Sequence, residues 1–184
     1  KKKPVSPRQK MINLMYVVLM AMLALNISTE VLNGFSIVEE SLNRTTSNSS
    51  KENESIYSDF LEQMKTNPEK VKAWFDKATM VKQMSDSLYN YAQSLKEQIV
   101  KEADGDDADL NNIVGKDNLE AAAHVMLAPG TGQGKKLYDA INSYRERILK
   151  MVNDDHQRQL IAENLSTKIP KKGNALGKNW QEYM

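Results

Sequence analysis

Between Lys10 and Glu30 the chain carries no charged side chain, and residues 11–29 read MINLMYVVLMAMLALNIST. Coiled as an α-helix at about 1.5 Å per residue, this stretch is roughly 28 Å long, close to the roughly 30 Å of a bilayer's hydrocarbon core. The pattern predicts a transmembrane helix over residues 10–30. A cleaved signal peptide would stop its apolar run at a small-residue site. Here Ala21-Met22-Leu23-Ala24 is a poor site, and the apolar run continues past it. Beyond Glu30, Val31, Phe35, Val38 and Leu42 follow at intervals of four, three and four, so the helical period persists and a retained anchor is expected. Ser6 is placed as the N-cap, with Pro7 at the first helical position.

The rest of the chain also reads as helix. Residues 43–55, NRTTSNSSKENES, are polar and suit a linker or a solvated stretch of helix. Tyr57, Phe60, Leu61 and Met64 then mark one amphipathic face, and Asn67-Pro68 punctuates it. A long helix is predicted over residues 68–103. Its seam is Trp74, Ala78, Val81, Ser85, Leu88, Ala92, Leu95 and Ile99, alternating at four and three residues. A bundle is expected in preference to a dimeric coiled coil, because Trp, Ala and Ser interrupt any regular Leu/Ile seam. Shorter helices are predicted over residues 117–127, around Leu137, Ile141, Tyr144, Ile148 and Met151, and over residues 154–165. The tail, 169–184, is expected to be irregular. No stretch alternates as a strand would. The predicted class is all-α: a basic tail over 1–9, the membrane helix over 10–30, a helix extension or linker over 31–55 and a helical bundle domain over 56–184.

Charge sets the expected topology. Lys1, Lys2, Lys3, Arg8 and Lys10 precede the apolar run, whereas Glu30, Glu39 and Glu40 follow it and the next basic residue is Arg44. Lys and Arg stay on the cytoplasmic side, so the N-terminus is expected inside and the bulk of the chain in the periplasm. A cytoplasmic tail this short has no room for a kinase or nucleotide-binding domain. With 25 Lys and Arg against 24 Asp and Glu, the chain has no general attraction for nucleic acid. It has no cysteine, which excludes disulfides, thiolate metal sites and cysteine nucleophiles. The chain begins at Lys1, and a few preceding residues are expected to be missing; its end suggests a fragment of a longer protein.

Apparent chemical motifs fail on inspection. Gly130-Thr131-Gly132-Gln133-Gly134-Lys135-Lys136 hints at a phosphate loop, but the spacing is short, Lys136 stands where a magnesium-binding hydroxyl belongs, and a helix precedes it where a strand is required. Asp104, Asp106 and Asp109 hint at a calcium loop, but Asp109 occupies the glycine position and Gly115 the final glutamate position. His124 and His156 show no metal-ligand spacing. The sequons at Asn43, Asn48, Asn53 and Asn164 are what Asn- and Ser-rich sequence gives by chance. Neither an enzyme nor a cofactor or metal site is expected.

The polar residues of the apolar segment carry more meaning. Arg8 and Lys10 lie at its inner boundary, with Asn13 and Tyr16 deeper and Asn26 near the outer interface. One reading is interfacial anchoring, with the basic side chains snorkelling to headgroups and Tyr16 in an aromatic belt. The other is that Arg8 faces a carboxylate on a neighbouring membrane helix, since charges within a membrane are usually paired and functional.

The run Ser6-Pro7-Arg8-Gln9-Lys10-Met11-Ile12-Asn13-Leu14-Met15-Tyr16, followed by Ala21-Met22-Leu23-Ala24-Leu25-Asn26, resembles the N-terminus of the GldM/PorM family. The resemblance extends to His124-Val125-Met126-Leu127-Ala128-Pro129-Gly130, Asn142-Ser143-Tyr144-Arg145 and Asn179-Trp180-Gln181-Glu182-Tyr183-Met184. It implies an inner-membrane subunit of the type IX secretion and gliding machinery of Bacteroidota. In that family a homodimer sits inside a ring of the partner GldL/PorL, proton flow is thought to drive rotation, and the periplasmic part carries motion to outer-membrane secretion components. Transferred by motif, Arg8 would pair with a membrane-embedded glutamate of GldL/PorL, while Lys10, Asn13, Tyr16 and Asn26 would serve packing or polar contacts in the span. A passive tether and a periplasmic sensor are the competing expectations.

Overall fold

Pro7 opens the first helix, as its fixed φ and missing N–H favour. The computed structural model describes residues 6–25, 29–170, 174 and 176–183, and every regular element among them is helical. The elements are α1 (Pro7–Leu25), α2 (Thr29–Thr66), α3 (Pro68–Asp104) with a single 3₁₀ turn after it (Gly105–Asp107), α4 (Ala121–Leu127), α5 (Gly134–Met151), α6 (Asp155–Asn164) and α7 (Trp180–Tyr183). The chain divides into two compact units, Lys1–Ser49 and Ser50–Met184.

In the first unit, Ser6 caps α1 as expected: its Oγ accepts the Gln9 N–H at 3.3 Å and its carbonyl accepts that of Lys10 at 3.0 Å. The large apolar side chains from Met11 to Leu23 of α1 are exposed, Met15 to 72% and Val17 to 65%. So is the Val31, Phe35, Val38, Leu42 stripe of α2. Among the described residues no helix is long and apolar enough to cross a membrane. The expected span, 10–30, includes residues 26–28, which lie outside the described residues.

The polar stretch 43–55 is helix throughout. Ser and Thr usually weaken a helix by competing for its backbone groups. Here the Thr45 hydroxyl donates to the Ser41 carbonyl at 2.9 Å, and further along α2 the Ser58 hydroxyl donates to that of Glu54, so the competing groups turn back onto the helix itself.

In the second unit, α2 ends at Asn67-Pro68 and α3 returns beside it. Tyr57 joins the two: its ring stacks on Phe75 with centroids 5.7 Å apart, and its hydroxyl lies 3.1 Å from that of Thr79. The seam of α3 therefore begins one residue later than the heptad pattern indicated. Phe75 faces α2, whereas Trp74 is exposed, with the Lys77 ammonium 5.1 Å from its ring. From Ala78 to Ile99 the predicted seam holds and packs against α4 and α5, as in a bundle. Leu95, Val100, Ala121 and Ile148 form the buried core.

The connection after α3 explains why α4 starts at Ala121, four residues later than expected. The Asp104 carboxylate accepts the backbone N–H groups of Val114 and Gly115 at 2.9 and 2.6 Å. Asn118 Oδ1 then accepts those of Glu120 and Ala121, a side-chain turn that displaces the helical start. In α6 the Asp154 carboxylate accepts the Gln157 N–H at 2.8 Å. Asp154→Ala is expected to lower the stability of the second unit by about 1 kcal/mol, read from thermal unfolding. The tail is less irregular than predicted: at the start of α7 Glu182 reaches back to accept the Asn179 N–H at 2.9 Å, one half of a capping box, and Trp180 lies against Tyr138.

Candidate functional site

The residues singled out in the apolar segment fall on different faces of α1. At about 100° per residue, Gln9, Asn13 and Tyr16 share an arc of roughly 60°, and Arg8 lies roughly 80–140° away from it. The Gln9 amide donates to Asn13 Oδ1 at 3.0 Å, so one polar face is an amide pair and the other is a guanidinium. The signal for this pairing is the spacing of Gln9 and Asn13, since amides four residues apart on a helix are neighbours. Arg8, Lys10, Asn13 and Tyr16 are all exposed, and Asn26 lies outside the described residues. No Asp or Glu occurs in α1; the first acidic residue of the chain is Glu30. Arg8 therefore meets no carboxylate along α1 itself.

The second unit holds polar clusters of a structural kind. Asn142 is the hub of one. Its amide donates to the Tyr138 carbonyl at 2.8 Å, and its Oδ1 accepts from Arg145 and from the buried Thr167 hydroxyl at 3.0 Å. Arg145 also donates to the Leu165 carbonyl at 2.9 Å, fastening the segment after α6 onto α5. His124, isolated in sequence, places Nδ1 2.8 Å from Glu102 and links α4 to α3 at the surface. Among the described residues no group of His, Asp and Glu could hold a metal ion. Asp104, the first residue of the discarded calcium motif, clamps backbone instead. In the discarded phosphate motif, Lys135 pairs with Asp139 at 2.9 Å, one turn along α5.

Among the described residues two groups have displaced acidities. The Asp86 carboxylate, hydrogen-bonded at 2.9 Å, holds the Lys82 ammonium above its usual range. Burial pushes the Tyr91 phenol up, and its Oη has no hydrogen-bond partner among the described residues. A phenol with a raised pKa in the folded state favours folding fully below pH 10, the unfolded value, and loses that contribution as pH rises through the folded value. Tyr91→Phe is therefore expected to flatten the alkaline decline of stability above pH 10. It should also stabilise the second unit by about 1 kcal/mol at neutral pH, because an unpaired buried hydroxyl is removed. Urea melts at pH 7 and pH 10.5 measure both.

One face of α5, bearing Lys135, Tyr138, Asn142 and Arg145, floors an open groove of about 1140 Å³. Its walls come from α6, the irregular segment 166–169 and residues 178–181. Trp180 and Tyr138 meet there with ring centroids 5.6 Å apart.

Compared with known proteins, residues 30–184 match the family described as the GldM N-terminal domain. The match includes all of α2 but its first residue and the whole second unit, and leaves α1 outside it. No curated protein matches the chain.

Proposed function

The chain belongs to the GldM family of gliding and type IX secretion components, and we propose that it acts there as a subunit of an inner-membrane motor driven by the proton-motive force. In this reading residues 10–30 cross the inner membrane with the N-terminus in the cytoplasm, and the second unit stands in the periplasm. A pair of such chains sits within a ring of GldL/PorL helices, and the periplasmic part passes motion to outer-membrane components. The uncharged run 11–29 and the basic residues before it support the topology.

Arg8 is the observation that carries the motor reading. It is a permanently charged side chain at the inner end of an apolar helix that offers it no acidic partner. Such a charge is tolerated in lipid when a neighbouring helix supplies the carboxylate. Protonating that carboxylate cancels the attraction and frees the helix to move to the next one. Each charge crossing 100 mV supplies about 2.3 kcal/mol, enough to bias such steps. With no acid of its own in this segment, the chain takes the moving or anchoring role and the partner carries the proton.

Replacing residues 11–25 with an unrelated apolar helix of equal length tests the reading. The motor requires loss of secretion and gliding with membrane insertion retained. A passive tether would keep working with the foreign helix, and that result would sink the proposal.

A further inference from the structure

We propose that the groove along α5 docks an extended, acidic peptide segment of another protein. The inference stands on the second unit alone and does not depend on the membrane reading. From Lys135 to Arg145 the floor is about 15 Å long, by the rise of an α-helix. That length accommodates four to five residues of extended chain at about 3.3 Å each.

Charge favours an acidic occupant. The groove is lined by Lys135, Arg145, Lys168 and Lys178 against one carboxylate, Glu163. Arg145 is spent on Asn142 and the Leu165 carbonyl, and Lys135 on Asp139. The Lys168 and Lys178 ammonium groups, which also line the groove, have no acidic partner among the described residues. Backbone favours a peptide. The wall 166–169 has no regular secondary structure, and neither the buried Thr167 nor the half-buried Ile169 makes a backbone–backbone hydrogen bond among the described residues. An incoming extended segment would find the N–H and carbonyl of the half-buried Ile169 to pair with, in the manner of strand addition. The wall is held in place by the Arg145 and Asn142 bonds, so little ordering is left for the binding event.

The test uses the whole chain in detergent micelles with Trp74→Phe, which leaves Trp180 as the sole tryptophan reporter. A five-residue acetylated peptide alternating Glu and Val is titrated while Trp180 fluorescence is read. A saturable change is expected. It should weaken at least tenfold when Gln replaces Glu in the peptide, at least tenfold in Lys168→Glu/Lys178→Glu, and several-fold when the peptide backbone is N-methylated. The proposal is overturned if Trp180 does not respond, if the Gln peptide binds equally well, or if the double variant, folded by circular dichroism, binds as before. It is also overturned if N-methylation has no effect or if inorganic phosphate competes at the same concentration, since either result leaves a simple anion site.

Discussion

Arg8→Ala is expected to leave the chain in the membrane fraction and to abolish both secretion and gliding. The apolar run is untouched by the substitution, and removing a charge makes insertion easier. What disappears is the cation that a carboxylate on another helix would seek. Truncating one member of a desolvated ion pair costs about 2–5 kcal/mol, part of it from the orphaned partner, and that is a loss of tenfold or more in occupancy of the paired state. Arg8→Lys should retain part of the activity, because the charge survives while the planar fork is lost. Fractionation followed by assays of secreted protein and of cell movement separates these outcomes. Normal secretion by Arg8→Ala would remove the motor role and leave an anchor.

Gly132→Val is expected to destabilise the second unit by about 3 kcal/mol, the upper end for forcing atoms into packed surroundings. A Cβ at Gly132 would lie 2.7 Å from the Met126 carbonyl oxygen and 2.8 Å from that of Ala128. These are backbone atoms at the end of α4 and cannot swing aside. Two neighbouring glycines have comparable reasons: Gly130 sits at φ 81, and a Cβ on Gly134 would meet Gln181 at 2.7 Å. Of the glycines that suggest a phosphate loop in the sequence, Gly132 and Gly134 are there because neighbouring segments crowd them, and Gly130 because its backbone takes a positive φ. Thermal unfolding of Gly132→Val beside Lys136→Ala decides the matter: a structural turn is hurt by the first and indifferent to the second.

Much of this architecture is legible from local pattern. Ser6 and Pro7 mark the start of α1, Asn67-Pro68 the elbow before α3, and the apolar periods of α3 and α5 their inward faces. The misreadings share a cause. Trp74 fits the heptad count better than Phe75 does, and only the position of Tyr57 on the adjacent helix overrides it. The start of α4 depends on Asn118 taking two backbone groups out of the helical ladder. The Asn142 cluster joins residues 20 to 25 positions apart to α5, and His124 meets Glu102 across a loop; no periodicity encodes such meetings. The polar stretch 43–55 shows the opposite case, in which composition typical of a linker is carried by a helix whose hydroxyls fold back on it.

The clasp of Tyr57 on Phe75 and Thr79 also sets an order of failure under load. Tension applied along α2 meets a stacked ring pair and one hydroxyl contact before it reaches the Leu95–Ile148 core. Peeling α2 from α3 is then the first event, and it exposes little that was deeply buried.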